Sequence, residues 1–231
     1  MPLNRYNLIE KVKLQMKKPM IITGHYGSGK TNLAVNLAVK AAESNEKVTV
    51  VDLDIVNPYF RTADFAELFA KKGITLVVSG YANSNLDIPS ISYDINHINT
   101  DGTLIIDVGG DDAGATALGR FSTEFRKRSY EMIYVINSYR YLTHTPMEAL
   151  ELMYEIEESA KLRHTAIVNN SNLGCETSWE TVKNSLDFAE TVAKKSGLPL
   201  LYSTCPEGIV NENSGGEIFP VKIYVKPVWA K

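Results

Sequence analysis

Cysteine is scarce in this chain of 231 residues: Cys175 and Cys205 are the only two, and neither stands in a CxxC pair or a Cys/His cluster. Such usage reads as free thiols, small buried side chains of a protein in a reducing cytoplasm. Long hydrophobic runs are also missing. No apolar stretch approaches the roughly 20 residues of a membrane span, and the N-terminus lacks a signal-peptide core, so the expectation is a cytoplasmic protein with no membrane partner. An excess of either charge is absent too. The net charge of -3 creates no global basic field, and nucleic acid is not an expected partner. No repeat, low-complexity tract or composition break marks a linker. What remains, 44% hydrophobic and 22% charged residues, is the make-up of a globular protein long enough to bury a sizeable core.

Against that ordinary background one stretch stands out, Gly24-His25-Tyr26-Gly27-Ser28-Gly29-Lys30-Thr31. It matches G-x-x-x-x-G-K-[ST] at every fixed position, follows the apolar run Met20 to Thr23 and opens a helix-period segment, Thr31 to Glu43. Strand, glycine loop and helix are the context a phosphate-binding loop needs. The glycines let successive N–H groups converge on phosphate oxygens, and the helix adds its positive end. Lys30 would neutralise the outer phosphates, and the Thr31 hydroxyl would sit on Mg²⁺.

The rest of the chain alternates short apolar strands with helices. Residues 4 to 18 read as a short amphipathic helix leading to Pro19, an extension before a single domain over 19–231. Strands are expected at Lys47 to Asp52, Ile74 to Val78, Thr103 to Asp107, Glu131 to Asn137, Thr165 to Asn169 and Leu200 to Ser203. Helices are expected near Asp64 to Lys72, within Asp112 to Arg128, over Thr145 to Lys161, where Pro146 suits the first turn, and over Trp179 to Lys195. The Asn-Pro step after Asp54 argues for a loop, Ser79 to Asn99 gives no clear pattern beyond a short helix after Pro89, and Glu217 to Val225 offers a last edge strand. This alternation implies an α/β three-layer sandwich, a mostly parallel sheet covered on both faces, with ligands at the carboxyl ends of the strands.

Two of those strand ends carry acids. Asp107 closes the strand TLIID and is placed to hold the Mg²⁺ shell through water. Gly109 and Gly110 follow, and a glycine such as Gly110 can turn its N–H toward a γ-phosphate, which makes this a candidate switch loop. The second strand ends in Asp52-Leu53-Asp54. If the loop begins at Leu53, one carboxylate faces the metal and the other the attacking water: Asp52 is assigned to Mg²⁺ and Asp54 to the water.

The segments GHYGSGKT, VVDLDIVNPYFR and LIIDVGG, in this order, resemble the nucleotide motifs of the MinD/ParA group of P-loop ATPases, with the CobQ/CobB-type domains and nitrogenase iron protein as wider relatives. The resemblance implies a seven- or eight-stranded sheet, ATP with Mg²⁺, and an ATP-dependent homodimer that switches a client protein. Carried over by position, Gly27, Ser28, Gly29, Lys30 and Thr31 would hold phosphates, and Asp54 would be the switch aspartate. Asp107 would stand on the metal side, Asn169 would read adenine, and Pro206 would flank it. The chain departs from the group at His25, where the group carries a lysine that reaches a partner's phosphates. A neutral imidazole would be a weaker cation there, leaving Arg61 or Arg140 as alternative sources of charge.

The leading expectation is a switch-type ATPase. A small-molecule kinase or ATP-dependent ligase, with Arg120, Arg126, Lys127 and Arg128 as a lid, and a non-hydrolysing ATP sensor are the alternatives. No N-K-x-D signature for guanine occurs, and the cysteines do not fall where an iron–sulfur cluster would be bridged in the iron protein.

Overall fold

β-Branched runs bounded by glycine, proline or acidic residues become strands of one parallel sheet, and the segments between them become its covering helices. The computed structural model describes residues 18–44, 46–54, 61–78, 102–210 and 217–225. All of the helix expected at 4–18 except Lys18, most of the loop after Asp54, and the stretch from Ser79 to Asn99 lie outside the described residues. The strands are β1 (Met20–Thr23), β2 (Val48–Leu53), β3 (Thr75–Val78), β4 (Thr103–Val108), β5 (Glu131–Ile136), β6 (Ala166–Asn169), β7 (Leu200–Pro206) and β8 (Ile218–Val221). They form one eight-stranded sheet of order β3-β2-β4-β1-β5-β6-β7-β8, every pair parallel. The Glu217 to Val225 tail supplies its edge strand, with Ser203 opposite Ile218.

Side chains alternate between two cores. Met20, Ile22, Val50 and Ile105 face α1 (Lys30–Glu43) and pack with its Leu33 and Leu37. Ile21, Val51 and Ile106 face the opposite layer. There they meet Leu118 of α3 (Asp112–Gly119), Phe125 of α4 (Ser122–Lys127) and Ala160 of α5 (Pro146–Ala160). Burial on both faces explains why the central strands read as continuous apolar runs; every residue of β4 is buried. On the α1 side, α2 (Ala66–Lys71) adds Phe69; on the other, α7 (Leu186–Ser196), reached through α6 (Trp179–Asn184), adds Ala189 and Val192.

Two helices expected as single rods are broken. The 112–128 segment turns at Arg120–Phe121, so that Leu118 and Phe125 both reach one core. The 179–195 segment breaks at Ser185, whose hydroxyl donates 2.7 Å to Val182 O while receiving the Asn169 amide at 2.9 Å. That side-chain bonding competes with helix propagation. Among the described residues no helix is long and apolar enough to cross a membrane.

The strand order positions the site. From β1 the chain winds to β2, β3 and β4 on one side of the sheet, and from β5 onward on the other. The loop after β1 therefore opens at the point where the winding reverses, where a crevice forms between neighbouring strand ends.

Candidate functional site

The loop Gly24–Gly29 is tight because its backbone is left-handed at Gly27 and Gly29, with φ of 74° and 87°. Neighbours hold it closely. A methyl group on Gly24 would lie 2.3 Å from Val135 O, and one on Gly29 2.1 Å from Asn170 Nδ2. Ser28 N donates to His25 O at 3.1 Å, and the Asn170 amide donates to Ser28 O at 2.6 Å, pinning the loop from β6. The loop is thus preformed, with its N–H groups at the start of α1.

Four of the predicted side chains converge there. Thr31 Oγ1 donates to Asp107 Oδ2 at 2.8 Å, and Lys30 Nζ rests on His25 O at 3.1 Å. Asp54, nearly buried, lines the same cleft. Burial lowers the Lys30 pKa, opposed by the carboxylates of Asp107, Asp54 and Asp111. Burial, with Asp52 alongside, pushes the Asp107 carboxyl up to about 7, against the pull of Lys30 and the Thr31 hydrogen bond. Gly110 touches the loop: a methyl there would lie 2.6 Å from Tyr26 N and 2.7 Å from Lys30 Nζ. Gly109 faces the Asp54 carboxylate, which a methyl would approach to 3.2 Å.

Other predicted residues are engaged differently. Asp52 stands opposite Asp107 on the neighbouring strand with its oxygens already taken: they accept from Asp54 N at 2.9 Å and Ala63 N at 3.0 Å, with Arg61 Nε 3.5 Å away. It braces the start of the loop after β2. Asn169 does not line the cleft. Its amide donates to Ser185 Oγ and Ser203 Oγ and accepts from Ser171 N and Oγ, a buried polar knot that leaves it no access to a base. Asn170 and Asn172 line the cleft beside Pro206 and Thr204, and the Asn170 amide is itself taken, donating to Ser28 O and accepting from Thr204 Oγ1. Burial lowers the His25 pKa, assisted by Lys30 and Arg140 and opposed by a backbone hydrogen bond at Tyr26, so His25 supplies no cation near neutral pH. Arg140 is the cation on that side. It lines the cleft, and a methyl on Gly27 would meet its Nε at 3.3 Å. Arg120, Arg126, Lys127 and Arg128 do not line the cleft, and Arg126 donates to Lys161 O at the end of α5. Cys175 is exposed on the cleft rim and Cys205 is buried in β7.

The cleft has a volume of about 760 Å³. Its lining combines the charged side chains of Lys30, Asp54 and Arg140, beside the Thr31 hydroxyl, with the apolar Leu173, Pro206, Val221, Ile223 and Val225. Four buried polar atoms without a partner belong to the loop and the residues around it, His25 Nδ1, Ser28 Oγ, Asp107 Oδ1 and Arg140 Nε; the others are on Arg61 and Thr62. Such orphans are costly unless a ligand completes them, and donors beside an unpartnered carboxylate oxygen fit a phosphate chain with its cation. Among the described residues no group of three or more His, Cys, Asp or Glu could hold a metal alone, so a cation here would be completed by phosphate oxygens and water.

Comparisons with known proteins agree with this geometry. The family model described as the CobQ/CobB/MinD/ParA nucleotide binding domain matches residues 20–168. Tyrosine-protein kinase YwqD of Bacillus subtilis (strain 168) is 34% identical over 85 residues, a match spanning 33% of this chain and 36% of that kinase. Among solved structures, cell division protein FtsY from Thermotoga maritima superposes with a TM-score of 0.53 at 14% identity, over 85% of this chain and 67% of that one. FtsY from Mycoplasma mycoides gives 0.55 at 16% identity, over 86% and 73%. At these identities the likeness is one of fold.

Proposed function

Because the chain belongs to the CobQ/CobB/MinD/ParA nucleotide-binding domain family, we propose that its cleft binds ATP with Mg²⁺, hydrolyses it and thereby switches a partner protein. The observation that carries this reading is the Thr31–Asp107 hydrogen bond of 2.8 Å, with the second Asp107 oxygen unpartnered and Lys30 beside it. The Thr31 hydroxyl would hold the cation directly and Asp107 through water. When bound, Mg²⁺ supplies neutralising charge to the outer phosphates. Asp54 accepts a hydrogen bond from the attacking water and orients it toward the γ-phosphorus; the bridging oxygen leaves with ADP, its growing charge met by Lys30. Arg140 supplies from within the same chain the positive charge that His25 does not, so turnover needs no lysine from a second copy.

The loop after β4 is the coupling element. Gly110 sits against Tyr26 and Lys30, so an occupied phosphate site and the position of Gly109–Gly110 are linked through direct contact. A second copy of the chain is the partner for the ATP state, and a client protein reads the change. The test is ATP turnover and sedimentation on purified protein with Mg²⁺. Lys30→Ala abolishes binding, and Asp54→Asn keeps binding while turnover falls about 100-fold, as loss of a positioned general base does. Hydrolysis by Asp54→Asn at the parental rate would overturn the assignment.

The similarity to YwqD supports a second reading, transfer of the γ-phosphoryl group to a hydroxyl acceptor. Radiolabelled ATP separates the two readings: hydrolysis releases label as phosphate, whereas transfer leaves it on protein or an added tyrosine peptide.

A further inference from the structure

Helix α1 is buried on nearly every side, yet it carries two asparagines one turn apart, Asn32 and Asn36, both almost fully buried. Their amides hold the segment that follows β8. Lys222 N donates to Asn36 Oδ1 at 2.8 Å, and Lys222 O accepts from Asn36 Nδ2 at 2.9 Å and Asn32 Nδ2 at 3.1 Å. Tyr224 N and Val225 N donate to Asn32 Oδ1 at 2.8 and 3.2 Å. These bonds satisfy backbone groups that left the sheet at Val221, as a further strand would have done.

The seating has a consequence for the cleft. With the backbone of Lys222 and Tyr224 tied to α1, the alternate residues Val221, Ile223 and Val225 line the cleft with apolar side chains. Two of the large apolar side chains exposed to solvent, Ile223 at 36% and Leu173 at 45%, are part of that lining. Exposed apolar surface inside a cleft gains when a flat apolar ligand covers it. Asn32 follows Thr31 directly, so one turn of α1 carries both the phosphate-side hydroxyl and the anchor of this wall.

We propose that Val221–Val225 is the base-side wall of the cleft, with Asn32 and Asn36 as positioning residues and Ile223 as the side chain that covers the nucleobase. This rests on the reading of the cleft as a nucleoside triphosphate site, and it divides the site in two. The loop and α1 hold the triphosphate, and the segment after β8 holds the nucleoside.

The experiment compares ATP with inorganic tripolyphosphate, both with Mg²⁺, on the full chain. Ile223→Ser, a change at a part-exposed position, and the double variant Asn32→Ala/Asn36→Ala each bind ATP about tenfold more weakly, the loss of covered apolar area, while tripolyphosphate affinity stays within about twofold. In the parent, amide exchange at Lys222, Tyr224 and Val225 slows with ATP and not with tripolyphosphate. Equal loss of both ligands in Ile223→Ser, or no loss of ATP affinity, overturns the proposal. If the parent binds neither ligand, the nucleotide reading itself fails. If it binds both and exchange at these amides ignores ATP, only the wall is refuted.

Discussion

At the scale of single residues, the site is made by what cannot be placed in it. A methyl group at Gly110 would overlap Tyr26 N and approach Lys30 Nζ to 2.7 Å, and neither neighbour is free to retreat, because the loop is pinned from β6 and Lys30 is buried. Gly110→Ala is therefore expected to weaken ATP binding at least about tenfold while leaving the fold intact, read by titration calorimetry and circular dichroism. Gly208→Ala, where nothing lies within 4 Å, is the control and should bind as the parent does. The same scale shows where the sequence was mute. Lys30, Thr31 and Asp107 were legible because motif and strand end fix where their side chains go. Asn169 and Asn170 were not separable, since both are buried and only their distant partners differ: Ser185 and Ser203 hold Asn169, whereas Ser28 and Thr204 hold Asn170. Asp52 and Asp54 posed the same problem: the N–H groups of Asp54 and Ala63 engage Asp52, while Asp54 lines the cleft.

At the scale of elements, strands were easier to read than helices because burial on two faces leaves a composition signal, whereas helix breaks depend on contacts made far away in sequence. The break at Ser185 needs Asn169 from β6, and the turn after Gly119 needs α5, whose Ser159 O would stand 2.6 Å from a methyl at Gly119. The start of α5 is the opposite case, encoded locally. Thr145 accepts from Glu148 N at 3.3 Å while the Glu148 carboxylate accepts from Thr145 N at 2.9 Å, and Pro146 takes the first turn. Thr145→Ala should cost about 1 kcal/mol, seen as a fall in Tm of about 2–4 °C. Nucleotide affinity should not move, because neither Thr145 nor Glu148 lines the cleft. A parallel loss of affinity would mean that α5 reports to Arg140, which lies just before it. The anchor of the segment after β8 could have been suspected from Asn32 and Asn36 alone, two polar residues one turn apart in the run from Asn32 to Val39, which is otherwise apolar.

At the scale of the whole molecule, the two layers are joined behind the phosphate loop by a buried polar chain. Glu157 of α5 accepts from His164 N at 2.9 Å and meets His164 Nδ1 at 3.1 Å; His164 Nε2 lies 2.7 Å from Thr23 Oγ1, the last residue of β1. Arg163 pairs with Glu157 from the solvent side, and the Tyr134 ring lies against the imidazole. These partners outweigh burial and lower the Glu157 pKa to about 2, whereas burial outweighs Glu157 and lowers that of His164. A carboxylate with a depressed folded pKa adds stability that is complete above its unfolded value near 4.5 and is lost as pH falls toward 2. A histidine with a depressed folded pKa acts in the same direction, because below about 6.5 the unfolded chain takes the proton first. Asp107, raised to about 7, has the opposite sign, so the net pH profile is a sum and the informative quantity is a difference between variants. The gap in urea midpoint between the parent and Glu157→Gln should therefore be wide at pH 5 and narrow at pH 3. A gap that stays constant across that range would mean that Glu157 acts by packing and hydrogen bonding alone, and that the link between α5 and the end of β1 carries no charge.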